Sequence, residues 1–510
     1  MSILLGADVG TSGVRVVAVD TEGKLAAEAS SGYPLYTPKP GWTEQSPEDW
    51  WHAAKEALSH VADKVREAGG EIAGLGLTGQ MHGAVFLDAA GEVIRPALLW
   101  NDQRTAAQCE WITERVTEER LLSVVGNPAL TGFQAPKVLW LRDEEPENYS
   151  RLAKVLLPKD YIRYRLTGEY ATDASDASGT LLLDVGERDW SAEVLDALGL
   201  PAGWFPEVYE GPETTGEVGR RAAAETGLPA GIPVAAGGGD NAAAAVGTGI
   251  VSQGLVSSSV GTSGVVFAHA SRFDPDPSGR LHAFCHAVPG AYHLMGVTLS
   301  AGASLEWWAG VCGAEIGELV REAEEVVPGA EGLLFMPYLS GERTPHLDPE
   351  SRGGFVGLTA GHGRAQMTRA VMEGVIFSLE QSLRIMRALG VETTEIRAIG
   401  GGGRSALWRK MQADIYGLPV YRMAVEEGPA YGAALLAGVA AGVYGDVGEA
   451  SSRAAVGGEA TAPDPESQKH YAEYFALYET LYPRTKDASH RLGKLARRQT
   501  TQTAGDRGKE

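Results

Sequence analysis

The chain holds 510 residues, well past the roughly 250–300 at which a single core gives way to several, so two large domains or one duplicated unit are expected. Hydrophobic residues make up 44% and charged residues 22%, the balance of a globular enzyme and not of a disordered chain. With 44 Lys and Arg against 66 Asp and Glu the net charge is −22, a field that repels nucleic acid and anionic lipid, so neither is expected as a partner. An anionic substrate would then need local help from backbone amides, an arginine or a divalent cation. Three scattered cysteines, Cys109, Cys285 and Cys312, make no disulfide framework or zinc knuckle. The first eight residues lack a basic stretch and reach Asp8 too soon for a secretory signal. A cytoplasmic protein is expected.

In chain order, two β-prone runs, residues 3–8 and 14–19, flank Gly10-Thr11-Ser12-Gly13 and read as a hairpin. A Gly-Thr-Ser-Gly turn can offer backbone N–H groups and hydroxyls to phosphate oxygens, or serve only as a turn. Asp8, just before it, either caps the turn or holds Mg²⁺, a cation that keeps much of its water. Ser46-Pro47-Glu48-Asp49 starts a helix that should run to about residue 67. Residues 72–78 read as a buried strand ending in the loop Gly79-Gln80-Met81-His82-Gly83. The dinucleotide pattern Gly74-x-Gly76-x-x-Gly79 lies inside that strand, with no helix opening after it, and is set aside together with a dehydrogenase. Trp100-Asn101-Asp102-Gln103-Arg104 brings an apolar wall, acceptors and a forked donor, which Trp100, Asp102 and Arg104 could turn on a polyhydroxylated molecule.

Residues 234–236 read as a strand running into Gly237-Gly238-Gly239-Asp240-Asn241, where Asp240 is either a helix N-cap or a general base. Residues 241–268 carry no formal charge, yet their Gly, Ala and Ser content fits a buried helix and strand rather than a membrane span. A long helix is expected over 366–389, and a short strand over 396–399 enters Gly400-Gly401-Gly402-Gly403-Arg404, a place for a base or phosphate or simply a loop. A small-residue helix over 430–441 should pack closely on a sheet. From about residue 499 the chain is polar and aperiodic.

One hexapeptide recurs. Val9-Gly10-Thr11-Ser12-Gly13-Val14 reappears as Val260-Gly261-Thr262-Ser263-Gly264-Val265, half a chain later and again between strand-like runs. Duplicated α/β domains facing each other across a cleft are expected. Their bounds are read as 1–248 and 249–488, with a disordered tail over 499–510.

Taken together, Asp8-Val-Gly-Thr-Ser12, Gly79-Gln-Met-His-Gly83, Leu99-Trp-Asn-Asp-Gln-Arg104, Leu157-Pro-Lys-Asp-Tyr161, Gly238-Gly-Asp-Asn241, Phe335-Met-Pro-Tyr-Leu-Ser-Gly-Glu-Arg-Thr-Pro345 and the glycines 400–403 resemble the FGGY carbohydrate kinases, over residues 6 to about 442. Gln134 departs from the pattern, standing before Ala135-Pro136-Lys137 where that family usually has a small hydroxyl residue or proline. The resemblance implies two actin-like, ribonuclease H-like domains, and ATP and Mg²⁺ as cofactors. Asp240 would be the catalytic base. Met81, His82, Asp240 and Asn241 would hold the sugar, Thr262, Gly401, Gly402 and Ser405 the nucleotide, and Asp8 the magnesium. The Gln-Met-His-Gly loop implies D-xylulose as acceptor and D-xylulose 5-phosphate as product. Another ketopentose or a pentitol (ribulose, L-xylulose, xylitol) is the alternative within the class. A non-catalytic actin-like nucleotide sensor is the alternative outside it. A homodimer is left open.

Overall fold

The computed structural model describes residues 1–423, 428–453 and 459–507, with side chains as far as residue 497. The chain divides into two compact units. The first comprises Met1–Gln253, His269–Leu294 and Glu427–Ala455, and the second Gly254–Ala268, Met295–Glu426 and Val456–Glu510. The chain therefore passes between units several times, whereas the sequence suggested a single passage near 248.

The first unit is organised by a six-stranded sheet built from β1 (Ser2–Val9), β2 (Gly13–Asp20), β3 (Leu25–Gly32), β4 (Glu71–Gly79), β5 (Thr214–Glu217) and β6 (Pro233–Gly239), in the order β5-β6-β4-β1-β2-β3. The hairpin β1–β2 and the pair β2–β3 are antiparallel, while β1–β4 and β4–β6 are parallel. Helix α1 (Pro47–Glu67) starts at the expected proline, although the Ser46 hydroxyl makes no capping bond. It contributes Trp50, Trp51, Leu58, Val61 and Val65 to a core shared with Ile3, Leu5, Val14 and Val16. Each such buried side chain is worth about 1.5–3 kcal/mol.

The helix Gly428–Ala440 comes late in the chain yet belongs to the first unit. It is made of small residues because it lies backbone-to-backbone on the sheet: a Cβ at Gly6 would stand 1.8 Å from Ala430 O, and one at Gly76 1.9 Å from Ala433 O. Gly76, part of the set-aside dinucleotide pattern, is thus a packing residue within β4.

The second unit repeats the plan. Its strands β7 (Gly254–Val260), β8 (Gly264–Ala270), β9 (Tyr292–Thr298, entering this unit at Met295), β10 (Thr393–Ile399) and β11 (Val420–Arg422) lie in the order β9-β8-β7-β10-β11. The hairpin β7–β8 is antiparallel, and β7–β10 and β10–β11 are parallel. In both sheets the first strand of the hairpin has a parallel neighbour, which has a second parallel neighbour in turn, the arrangement expected of a duplicated domain. The uncharged stretch 241–268 is a helix and two strands. Among the described residues no helix is long and apolar enough to cross a membrane. The helix Arg364–Ala388 covers the long helical pattern, with most of its residues buried. The last helix, Leu481–Arg507, extends through much of the segment read as a disordered tail. The remainder of that segment, 508–510, lies outside the described residues.

Candidate active site

In the first unit the turn between β1 and β2 is closed by Gly10 N–H donating to Gly13 O at 3.0 Å. That engages the first amide of the turn. The N–H groups of Thr11 and Ser12 donate to no group among the described residues. The turn is held from below. Gln80 Nε2 donates to Gly10 O (3.3 Å) and to Gln45 Oε1 (3.0 Å), Gln45 Nε2 donates to Thr11 O (2.7 Å), and the Tyr33 hydroxyl donates to Gly10 O. Trp100 Nε1 donates to Thr11 Oγ1 at 3.0 Å, so the Thr11 hydroxyl is engaged by the protein itself. Gln45 and Tyr33 carried no signal in the sequence, because each stands outside any motif. Gln80 sits in the quoted loop but was given no task.

Two carboxylates stand beside this turn. Asp8 closes β1, paired across the strands with Arg15 and Thr78. Its Oδ1 is buried without a hydrogen-bond partner. Burial, then the negative charge of Asp240, push its pKa up to about 7 against the opposing pull of Arg15. Asp240 is the first residue of α3 (Asp240–Gly247), whose N-cap is Gly239, so it does not cap the helix. Its Oδ1 accepts from Asn241 N (2.7 Å) and Asn241 Nδ2 (2.8 Å), and Oδ2 accepts nothing among the described residues. Burial raises its pKa to about 6, partly offset by the two Asn241 bonds. A carboxylate tuned near neutrality with one free oxygen suits a general base.

The orphaned, buried Asp8 oxygen beside a second carboxylate also suits a cation. Among the described residues no three His, Cys, Asp or Glu converge on a metal position. Mg²⁺ commonly takes one or two carboxylates and fills its shell with water and substrate phosphates, so a pair of carboxylates is a donor set it could use.

The loop after β4 packs against Gly239, the last residue of β6 and the neighbour of Asp240. Met81 is buried, and a Cβ added at Gly239 would stand 3.0 Å from its Cγ and Sδ. His82 adopts a left-handed backbone (φ 68°), uncommon outside glycine, with Nδ1 2.5 Å from Gly179 O and its ring edge-on to Phe133 at 4.8 Å. Two buried side chains of the helix Gln134–Glu144 support this bend. Lys137 Nζ donates to the carbonyls of His82 (2.9 Å), Phe133 (3.1 Å) and Gly132. Burial pushes the Lys137 amine down to about 7, with Asp102 opposing. Gln134, the departure from the family pattern, donates to Gly83 O at 2.8 Å and to Leu156 O at 3.2 Å. Its amide therefore serves the same loop.

The Trp100 cluster divides. Trp100 stays 43% exposed beside the turn. Asp102 and Arg104, expected to grip a ligand, are instead engaged internally. Asp102 Oδ2 accepts from Thr43 N (2.7 Å) and Arg104 Nη2 (2.7 Å), and its Oδ1 from Arg104 N and Nε (both 2.9 Å). Arg104 Nη1 donates to Glu44 Oε1 at 2.7 Å, and the guanidinium lies 3.7 Å from the Trp42 ring and 4.8 Å from that of Trp140. Both side chains are almost fully buried. A fork donor beside acceptors reads the same whether it faces a sugar or its own neighbours.

In the second unit the repeated turn is closed one residue earlier, Gly261 N–H donating to Ser263 O at 3.0 Å, and the N–H groups of Thr262 and Ser263, both exposed residues, donate to no group among the described residues. Its carbonyls anchor the start of the helix Gly302–Cys312: Gly302 N donates to Gly261 O (2.6 Å) and Ala301 N to Thr262 O (2.9 Å). Strand β10 runs directly into one helical turn, Gly400–Arg404, instead of a loop. A Cβ at Gly401 would meet nothing closer than 3.5 Å, whereas one at Gly402 would stand 2.5 Å from Val260 Cβ, so Gly402 is a packing residue. Ser405 caps the helix Ala406–Tyr416, its hydroxyl accepting from Trp408 N at 3.3 Å.

The profile described as the N-terminal domain of the FGGY family of carbohydrate kinases matches residues 3–247, and that of the C-terminal domain matches residues 256–441. The chain belongs to the FGGY family of carbohydrate kinases. Among relatives of this FGGY kinase, the xylulose kinase of Escherichia coli (strain K12) is 45% identical over 439 residues, 86% of this chain and 90% of that one. A crystal structure described as a xyloylose kinase from Brucella ovis aligns at a TM-score of 0.91 with 39% identity, covering 95% of this chain and 100% of that one. A gluconate kinase from Lactobacillus acidophilus reaches the same TM-score at 27% identity, covering 97% and 99%. The fold of an FGGY kinase is thus shared by proteins named for different sugars, and the acceptor must be argued from residues. As a carbohydrate kinase the protein uses ATP as co-substrate, and its two actin-like domains correspond to the duplicated sheets.

Proposed function

We propose that this kinase transfers the γ-phosphoryl group of ATP to the 5-hydroxyl of D-xylulose, releasing ADP and D-xylulose 5-phosphate in the cytoplasm. The 45% identity to a xylulose kinase over most of both chains carries this choice of sugar. The geometry of the first unit supports the chemistry.

Asp240 is read as the general base. Its free Oδ2 accepts the proton of the sugar hydroxyl as the oxygen forms its bond to phosphorus and the bond from that phosphorus to the ADP oxygen breaks. Asn241 fixes the other oxygen, so the carboxylate keeps one orientation. Met81 and His82 are read as the wall that places the sugar, and Trp100 as its exposed flank. The amides of Thr11 and Ser12 in the first unit, and of Thr262 and Ser263 with the open backbone of Gly401 in the second, supply donors for phosphate oxygens. Mg²⁺ would be held at Asp8, directly or through water, and would neutralise phosphate charge when bound. Asp102, Arg104, Gly402 and Ser405 serve the scaffold in this reading.

The test is a coupled ADP-release assay with Mg-ATP across D-xylulose, D- and L-ribulose, L-xylulose, xylitol, glycerol and gluconate. The highest kcat/KM should fall to D-xylulose. A higher value for any other acceptor overturns the assignment, and no sugar-dependent release at all would leave the nucleotide sensor.

A further inference from the structure

Helix α2 (Pro158–Thr167) carries the Leu-Pro-Lys-Asp-Tyr motif, to which the reaction above gives no task. Three charged side chains on it, Lys159, Asp160 and Arg163, are wholly buried, a placement tolerated only when every charge is paired. Lys159 Nζ lies 2.6 Å from Asp160 Oδ1 and 2.7 Å from Asp173 Oδ2. Asp173 Oδ1 accepts from Ser175 Oγ at 2.5 Å, and Ser175 Oγ accepts from Gly239 N at 3.1 Å. One turn along the helix, Arg163 Nη1 donates to Thr215 Oγ1 (2.6 Å) and Ala235 O (2.7 Å), and Nη2 to Ala236 O (2.5 Å).

Of these partners, Ala235, Ala236 and Gly239 belong to β6, the strand that leads into Asp240. The register of β6 against β4 slips between Ala235 and Gly238. Gly237 lies there at φ 78°, and a Cβ on it would stand 1.8 Å from Leu77 O, so only glycine fits. A bulge bends its strand and takes backbone groups off the ladder, and such groups, once buried, need another partner. At this slip the Arg163 fork donates to two consecutive carbonyls, and Ser175 holds the amide three residues further on.

We propose that Arg163 is a positioning residue for Asp240: by gripping the Ala235 and Ala236 carbonyls it sets the bend at which β6 passes into α3, and so the direction of the Asp240 carboxylate. This rests on the reading of Asp240 as the base. A lysine retains the charge and most of the stem but presents a point donor where the guanidinium presents a planar fork.

The experiment is a double-mutant cycle with Mg-ATP and D-xylulose on the full chain, comparing the native protein, Arg163→Lys, Asp240→Asn and the double variant. Arg163→Lys should lower kcat by roughly 10–100-fold, the scale of a small misplacement of a reacting group, with the KM for ATP unchanged. In the Asp240→Asn background the same substitution should change kcat by less than about twofold, because the group it aims is gone. An equal loss in both backgrounds, or a native kcat in Arg163→Lys, overturns the proposal while leaving Asp240 in place. A native kcat in Asp240→Asn alone overturns the reading of the base, and the proposal falls with it. Should the lysine chain not fold, Ser175→Ala runs the same cycle with the loss of a single hydroxyl, and equal losses in the two backgrounds again overturn it.

Discussion

Lys137 Nζ donates to the carbonyl oxygen of His82 at 2.9 Å, tying the loop read as the sugar wall to a buried amine on a neighbouring helix. The same nitrogen serves Phe133 and Gly132, so Lys137→Met would leave three carbonyls without their donor. A buried polar group left unpaired costs about 1–3 kcal/mol. The variant should melt at a lower temperature, and its KM for D-xylulose should rise roughly tenfold, the equivalent of about 1.4 kcal/mol. The KM for ATP should stay as it is. Differential scanning calorimetry and steady-state kinetics read the two effects. A lower melting temperature with both KM values native would reduce Lys137 to a structural residue.

Much of this architecture is legible in the chain. The repeated Val-Gly-Thr-Ser-Gly-Val marks two hairpins that each lie beside a parallel pair of strands, and Asp240 can be placed after a glycine run because strand and helix signals flank it. The supports are harder to read. Arg163, Lys137 and Gln134 bond main-chain carbonyls far away in sequence, and a carbonyl carries no residue identity, so no pattern of residue types reveals such a contact. Asp102 and Arg104 fail in the opposite sense: their types announce sugar recognition, while Trp42, Thr43 and Glu44 absorb them inside the unit. Gly402 reads as a loop glycine until the Val260 side chain is seen against it.

His82 gives a test that separates backbone from ring. Its φ of 68° favours glycine, so His82→Gly should keep the bend while removing the imidazole, and His82→Ala should strain it as well. If the loop is the sugar wall as proposed, both variants should raise the KM for D-xylulose by about tenfold or more and leave the KM for ATP within about twofold. His82→Ala should be the less stable of the two in a thermal melt. A rise in the KM for ATP with the sugar KM native would place the loop elsewhere in the reaction.

Arg104→Ala is expected to behave as a core lesion. It strips Asp102 of three donor contacts and leaves a carboxylate that is 0% exposed without its cation. Breaking a buried pair by removing one partner costs about 3–5 kcal/mol. The melting temperature should fall markedly, while the fraction that stays folded turns over D-xylulose within about threefold of the native kcat, because neither residue touches substrate in the reading above. A folded variant with native stability and a KM for the sugar raised more than about tenfold would return Arg104 to the binding site.

The pKa of Asp240 joins activity to stability with opposite signs. A base must be ionised, so with burial holding this carboxyl at about 6, kcat/KM for the sugar should climb as pH rises through about 6 and level off above it. Stability runs the other way. The folded carboxyl binds its proton more tightly than the unfolded one, whose ordinary value is 3.8, so the folded state is favoured fully below about pH 4 and loses that advantage as pH rises through 6. Asp240→Asn removes the ionisation while keeping the shape. Its melting temperature should therefore match the native protein's near pH 4 and exceed it at pH 8, by the equivalent of roughly 3 kcal/mol, while its kcat falls by roughly 10²–10⁴. Paired melts across that range decide the point: a difference that stays flat, or that shrinks towards pH 8, would mean that Asp240 is not held back from ionising by its burial, and the free oxygen would then have to be explained as a solvated surface acid.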